Sequence, residues 1–149
     1  MPIGFGLQRD MKNQILFPMI AYAFYMGLIA ISLFHARFRA LQEGKVKLSY
    51  FRAMTGEPPP EVALVRARHY DNQFQVPIFF LITCAVHLQV GSVNSFTLTV
   101  AWLFVGSRAL HSFIMLGSND VRKRAVVFAI GWILVILLWA QILYFALQS

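Results

Sequence analysis

Three polar residues recur at helical spacing where the second of four apolar segments begins. Arg68, Asn72 and Gln75 are separated by four and three residues, and Phe79 follows four residues later. On a continuous helix this spacing places all four side chains on one face. A cation and two amides avoid hydrocarbon, so this face is expected to meet protein or a water-filled cavity. Two interpretations stay open: hydrogen bonding between packed helices, or a site for a polar ligand.

A second polar pair lies near the middle of the third apolar segment, where Arg108 is followed three residues later by His111. Insertion scales assign a central arginine a cost of roughly 2.5–3.5 kcal/mol, so Arg108 is expected to face the bundle interior. Asp71 is the acid nearest to membrane depth and is the candidate counter-ion, in a structural ion pair or in a functional site. The other histidines share no ligand spacing with His111, so no metal site is predicted.

A short basic loop precedes the fourth apolar segment. It runs from Ser118 to Arg124, and its last three residues are Arg122, Lys123 and Arg124. Such a loop commonly fixes topology and contacts lipid headgroups. The alternative is anion binding, because Arg124 lies where the last helix begins and a helix N-terminus favours negative charge.

The composition identifies the elements that must position these residues. The chain has 149 residues, of which 58% are hydrophobic and 13% are charged. Soluble domains are about 45–50% apolar and about 25% charged, so an ordinary soluble domain and a disordered chain are excluded. The single cysteine, Cys84, has no partner for an internal disulfide. The length allows about four membrane crossings of roughly 20 residues each.

Four apolar segments reach or approach the length that crosses a bilayer. Backbone groups in hydrocarbon must bond internally, so each segment is predicted to be a helix. The alternation of polar and apolar residues expected of a membrane barrel is not found in them. The predicted helices cover about residues 15–35, 61–90, 96–117 and 125–147.

Two prolines fall inside these helices. Pro18 and Pro77 each remove one backbone hydrogen bond, so each is expected to kink its helix unless the membrane helix tolerates it. The second helix would be about 45 Å long, against a hydrocarbon core of about 30 Å. Its first turns are therefore expected to project from the membrane as a basic extension.

The basic residues predict the topology. Seven of the thirteen lie between Arg37 and Arg68, and three more end the loop at Arg124. The positive-inside rule places both loops in the cytoplasm and both termini outside, although Arg9 and Lys12 then lie on the outer side. Little solvated surface is left for a basic stripe, so nucleic-acid binding is not expected.

Two stretches of the sequence resemble the MAPEG family, the membrane-associated proteins in eicosanoid and glutathione metabolism. The first, Arg68 to Pro77, follows the family order of arginine, asparagine, an acid and a proline, with Gln75 at the acid's position. The second, Arg108 to Gly117, is followed by the short basic loop. The order of four helices and the basic first loop also resemble the family over nearly the whole chain.

The resemblance implies an all-α, four-transmembrane-helix integral membrane protein that forms a homotrimer. It also implies that glutathione is held between subunits near the cytoplasmic side, in a transferase or peroxidase whose lipophilic substrate arrives from the bilayer lipid. The arginine thought to stabilise the glutathione thiolate corresponds to Arg124. The family's other glutathione contacts correspond to Arg37, Arg68, Asn72, Gln75 and His111.

The sequence departs from the family pattern at several positions. Gln75 replaces an acid that would pair with the glutathione amine, and Met115 and Phe128 occupy two tyrosine positions. Pro77 lies two residues nearer the asparagine than in the eicosanoid enzymes, which resembles a bacterial branch and implies a bacterial inner membrane. The alternative to an enzyme is a non-catalytic membrane protein, either a structural trimer or a subunit of a larger complex.

Overall fold

The structure, a computed structural model, describes residues 12–148. Within that range the chain forms no β-strand, and six α-helices follow a short helical stretch at residues 12–14. The sequence-based expectations for Arg9 and Ser149 concern residues outside it. The helices are α1 (Leu16–Gln42), α2 (Tyr50–Ala53), α3 (Glu61–Asp71), α4 (Val76–Val90), α5 (Ser95–Leu116) and α6 (Val121–Gln148).

Four helical segments are long and apolar enough to cross a membrane, which confirms the predicted all-α architecture with four spans. The second span is made of α3 and α4 together, and α2 is a short helix in the first connecting loop. The spans are Lys12–Gln42, Glu61–Val90, Ser95–Leu116 and Val121–Gln148.

The first span continues beyond its apolar part. The expectation ended it near residue 35, but α1 runs to Gln42 and stops where Gly44 adopts a left-handed conformation with φ of 66°. Arginine is a good helix former, so the polar residues after the apolar run extend the helix into the interface. Pro18 lies in the first turn of α1, where proline is tolerated, and Ile15 before it keeps right-handed helical dihedrals with φ of −63° and ψ of −21°.

The second span breaks instead of bending. After α3 the chain forms a 3₁₀ turn at Asn72–Phe74, and Gln75 leaves helical geometry with φ of −102° and ψ of −110°. Pro77 is then the second residue of α4. Proline lacks the N–H that would bond to Gln73 and disfavours α geometry in the preceding residue. The disturbance predicted at Pro77 therefore lies in the residues immediately before it.

Side chains define the start of the two later spans. Asn94 and Thr97 form a reciprocal capping box at the N-terminus of α5, with Thr97 N bonded to Asn94 Oδ1 at 3.0 Å. At the start of α6, Asp120 Oδ1 accepts hydrogen bonds from the backbone N–H groups of Arg122 and Lys123 at 2.9 and 3.2 Å. These caps satisfy donors that a helix end leaves without intrahelical partners.

The core lies between the four spans and is built on aromatic rings. Phe80 of α4 stacks on Phe104 of α5 with centroids 4.1 Å apart, and Tyr22 of α1 packs edge-on against Phe80 at 6.0 Å. All three side chains are fully buried. Large apolar side chains such as Phe24 and Phe113 point outward and are 75% and 79% exposed. An outward apolar surface of this kind suits lipid, since lipid replaces water as the solvent of the spans.

Candidate functional site

Arg108 is the centre of a polar region inside the bundle. Its side chain is 2% exposed, which confirms that it faces the interior. Its Nη2 donates a hydrogen bond to the carbonyl oxygen of Val127 on α6 at 3.1 Å. The guanidinium also lies over the rings of Phe104 and Phe128, at 5.4 and 5.7 Å from their centroids. Cation–π contact stabilises such a charge where water is excluded.

The ion pair expected between Arg108 and Asp71 does not form. Asp71 ends α3 and is exposed, and within residues 12–148 no carboxylate lies within ion-pairing distance of Arg108. Arg108 Nε is buried and has no hydrogen-bond partner in that range. The site therefore holds a cation that is compensated by one carbonyl and two ring faces instead of by an acid.

Gly131 makes room for this cation. An added Cβ at Gly131 would lie 2.9 Å from Arg108 Cζ and closer still to Nη2. Real Cβ atoms do not approach other heavy atoms that closely, so a side chain at this position of α6 would displace the guanidinium. The absence of a side chain at Gly131 is thus a condition for the position of Arg108.

Ser112 joins three spans through one hydroxyl group. Its Oγ lies 2.5 Å from His69 Nε2 of α3 and also contacts the hydroxyl of Tyr25 of α1. Tyr25 in turn donates to the carbonyl oxygen of Arg108 at 2.9 Å. Buried polar groups in a membrane protein need partners from neighbouring helices, and this arrangement supplies them.

A second branch of the network reaches the same histidine. Tyr22 donates to Gln73 Oε1 at 2.7 Å, and Gln73 Nε2 donates to the carbonyl oxygen of His69 at 2.7 Å. The branch therefore links α1 to the end of α3, immediately before the break in the second span. Together the two branches hold α1, α3 and α5 in register around Arg108.

His111 lies beside this network and is 3% exposed. Its ring stacks on His69 with centroids 6.4 Å apart, and Phe128 lies at the same distance on the α6 side. The interpretation that His111 shares the polar region of Arg108 is thus consistent with the packing. Within residues 12–148 no group of three or more His, Cys, Asp or Glu side chains is arranged to hold a metal ion.

Of the predicted polar residues Arg68, Asn72 and Gln75, Asn72 is the one whose side chain bonds to a described residue of α5. Its Nδ2 lies 3.6 Å from the sulfur of Met115, a long and weak hydrogen bond. A thioether accepts hydrogen bonds weakly, so Asn72 keeps donor and acceptor capacity for another group.

Arg68 and Gln75 are exposed, and no described residue bonds to either side chain. They do not share the continuous helical face that their spacing predicts, because Gln75 lies in the break and not in a helix. Arg37 is half-buried near the end of α1, with its guanidinium 5.3 Å from the centroid of Phe51. Within the described chain, no bond joins these three residues to one another.

Arg124 lies one turn into α6. Its Nη1 donates a short hydrogen bond to Asn119 Oδ1, and Asn119 adopts a left-handed conformation with φ of 51°. The N-terminus of α6 already receives the Asp120 carboxylate, so its backbone donors are occupied by the chain itself. This arrangement favours the guanidinium of Arg124, and not the helix end, as the group available to an anion.

Sequence reasoning missed the residues that complete the interior network. Tyr22, Tyr25, His69, Gln73 and Ser112 are not part of the predicted site. Three of them adjoin residues that were singled out: His69 follows Arg68, Gln73 follows Asn72, and Ser112 follows His111. Adjacent residues of a helix face different directions. Where the motif residues face outward, the residues next to them in the sequence can therefore form the packed face.

The fold and this region define a multi-pass helical membrane protein with a buried polar core and a partly open polar edge on its second span. A sequence model of the MAPEG family matches residues 15–144. The chain belongs to the MAPEG family. No curated protein and no solved structure matches it.

Proposed function

We propose that this MAPEG protein is a glutathione-dependent transferase or peroxidase that acts on lipophilic substrates. The observation that carries the proposal is the open polar edge of the second span, formed by Arg68, Asn72 and Gln75. The side chains of Arg68 and Gln75 form no hydrogen bond or ion pair with residues 12–148, and the contact of Asn72 with Met115 is weak. Polar side chains on a membrane span are costly without a partner, so a polar ligand that binds them would stabilise the protein.

Glutathione suits this edge in most respects. It carries two carboxylates, and arginine binds carboxylates through two parallel charge-assisted hydrogen bonds. Arg68 and Arg37 would hold these groups, while Asn72 supplies amide hydrogen bonds and His111 lies behind the site. Gln75 cannot pair ionically with the glutathione amine, so this chain would bind that amine through hydrogen bonds alone.

The chemistry proposed for Arg124 follows from its charge. The thiolate is the nucleophilic form of glutathione, and a nearby cation lowers the pKa of the thiol and increases the thiolate fraction. The thiolate would then form a C–S bond with an electrophilic carbon of a substrate dissolved in the bilayer, while a leaving group departs with the electron pair of the bond that it breaks. Arg124 is the proposed catalytic residue, and among residues 12–148 its guanidinium bonds only to the neutral side chain of Asn119.

The proposed active form is a homotrimer, in which a second subunit closes the site over the open edge. Native mass spectrometry in mild detergent is expected to show three chains. A stable, fully folded monomer would contradict an intersubunit site, because the cleft for glutathione would lack its second wall. The spacing between Asn72 and Pro77 resembles a bacterial branch of the family, so the proposed location is a bacterial inner membrane.

Binding and catalysis are tested separately by two substitutions. Millimolar glutathione should raise the melting temperature of the solubilised protein, since a ligand stabilises the folded state by RT ln(1 + [L]/Kd). Arg124→Leu should retain this protection but lose the ultraviolet absorbance of bound thiolate near neutral pH. Arg68→Leu should reduce the protection itself, because a charge-assisted hydrogen bond contributes roughly 1.5–3 kcal/mol.

Arg122→Leu is the matched control, since Arg122 is an exposed cation on the same helix turn as Arg124. It should change neither protection nor thiolate absorbance. Absence of protection and of thiolate signal in the unsubstituted protein would contradict the proposal.

A second candidate is a non-catalytic structural protein. The observation that favours it is the internal satisfaction of the polar core, where His69, Gln73 and Ser112 all bond within the chain. On this alternative Arg108 and its neighbours serve packing alone. Equal and small effects of Arg68→Leu and Arg124→Leu, with no thiolate signal, would support it.

A further inference from the structure

A cleft of about 750 Å³ lies where α1 ends and α3 begins. It is separate from the proposed glutathione site: none of the six residues assigned to that site lines it. Its apolar surface includes Phe38 and Val62, which are 49% and 62% exposed, beside the buried Ala40 and Ala63. The cleft therefore combines an apolar floor with an opening at the end of a membrane span.

Charged groups surround this floor. Arg66 reaches across from α3 and donates from Nη1 to the carbonyl oxygen of Ser32 on α1 at 3.2 Å. At the rim, Glu43 accepts from Arg39 Nε at 2.7 Å and lies 2.8 Å from Lys45 Nζ. The lining thus has three permanent cations against one carboxylate, an excess of two positive charges.

Among the described residues that line the cleft, Glu43 is the acid that offsets these cations. Its hydrogen bonds with Lys45 and then with Arg39 lower the pKa of the carboxyl group to about 2. A lowered pKa keeps the carboxylate charged at every pH well above 2, and the ion pair is lost only as the pH falls toward that value. Removing the charge of Glu43 would therefore leave Arg39 and Lys45 free for another anion, beside Arg66, which Glu43 does not bind.

An exposed apolar strip leads from the cleft into the membrane along α1. Phe38 stacks on Phe34 with centroids 6.0 Å apart, and Phe34 is 66% exposed. Ile31, a further three residues back, is 55% exposed. Residues three and four apart lie on one helix face, so these side chains form one continuous path for an acyl chain.

We propose that this cleft binds an anionic phospholipid, with the headgroup phosphate between Arg66, Arg39 and Lys45 and an acyl chain along Phe38 and Phe34. Two features on the cleft favour a lipid over a small anion. The cations lie at the end of a membrane span, the level of the headgroups, and the apolar strip continues from them into the hydrocarbon region. A soluble anion would contact the cations but would leave the apolar strip along α1 exposed.

Native mass spectrometry of the full chain tests this site, with phosphatidylglycerol and phosphatidylcholine of identical acyl chains as probes. Phosphatidylglycerol should be retained at lower concentration than phosphatidylcholine. Lys45→Gln should weaken its binding about fivefold, since a cation near a membrane surface contributes about 1 kcal/mol. Glu43→Gln should strengthen it, and the gain should persist at pH 5 because the Glu43 carboxylate of the unsubstituted chain is still charged there.

Arg122→Gln is the matched control, because it removes an exposed cation from the first turn of α6, away from the cleft. It should leave phosphatidylglycerol binding unchanged. Arg66→Gln tests a cation inside the cleft. The side chain of Lys45 is 58% exposed, so Lys45→Gln does not threaten folding.

Four results would overturn the proposal: equal retention of the two lipids, an equal loss in Arg122→Gln, displacement of the lipid by glycerol phosphate or glutathione, or a changed number of chains in Glu43→Gln. The last two would identify a small anion or a second copy of the chain as the occupant. Lys45→Gln should keep its glutathione protection, so failure of the lipid site and failure of the proposed function are distinguishable.

Discussion

At the scale of single residues, the buried arginine is held by an unusual set of partners. Arg108 has a carbonyl and two phenyl rings around it, and no carboxylate among the described residues. Its position depends on the missing side chain of Gly131 as much as on these contacts. Two predictions follow from this packing, one for the glycine and one for the hydroxyl group that joins the spans.

Gly131→Ala is expected to destabilise the protein by about 1–3 kcal/mol, the usual cost of inserting a methyl group into a packed core. The new Cβ would displace the Arg108 guanidinium from Val127. Gly106→Ala on α5 is the matched control, since no atom beyond the neighbouring backbone of its own helix lies within 4 Å of an added Cβ there. Alanine raises helix propensity, so Gly106→Ala should be neutral or stabilising. Thermal unfolding in detergent measures both, and equal melting temperatures would contradict the packing described here.

Ser112→Ala is expected to destabilise the protein by about 1–3 kcal/mol, because it leaves His69 Nε2 buried without its partner. Tyr25 keeps its hydrogen bond to the carbonyl oxygen of Arg108, so the lost stability should come from the link between α5 and α3. Ser107→Ala provides the comparison: the Ser107 hydroxyl bonds only to Phe104 O of its own helix, at 2.7 Å. A loss of stability as large in Ser107→Ala would show that the effect is not due to the link between spans.

At the scale of elements, the break in the second span decides which polar residues face outward. It ends α3 at Asp71 and leaves Gln75 outside any helix. Pro77→Ala restores an N–H that can bond to Gln73, so helical geometry is expected to extend through residues 72–75. Hydrogen–deuterium exchange of this segment should then slow. Pro58→Ala, in the loop before α3, should leave exchange at residues 72–75 unchanged, and unchanged exchange in Pro77→Ala would assign the break to another cause.

At the scale of the whole molecule, the charged loops predict how the four spans are oriented. Both basic loops lie at one end of the bundle, because an even number of spans separates them. A reporter fused after Ser149 is expected to read as external, since the positive-inside rule places these loops in the cytoplasm. A cytoplasmic reading would reverse the assignment of both loops and the side proposed for glutathione. A reporter inserted between Gly56 and Glu57 should give the opposite reading and serves as the control.

The sequence by itself determined the architecture. An apolar run of about 20 residues has one stable form in a membrane, so the four spans follow from composition and length without knowledge of contacts. The burial of Arg108 follows in the same way, since a charged side chain that faces hydrocarbon is costly and is more stable inside the bundle. The disturbance near Pro77 is also a local effect, because it depends on a missing N–H group.

Only the tertiary structure determined which residues contact the buried polar side chains. The sequence predicted Asp71 for Arg108 on grounds of charge, whereas folding left Asp71 exposed and placed Val127, Phe104 and Phe128 around the guanidinium. Partners on different spans are set by helix rotation and by which spans adjoin, and these are fixed by the packing of the entire bundle. Ser112 illustrates the same limit: its neighbours in space come from α1 and α3, 87 and 43 residues away in the chain.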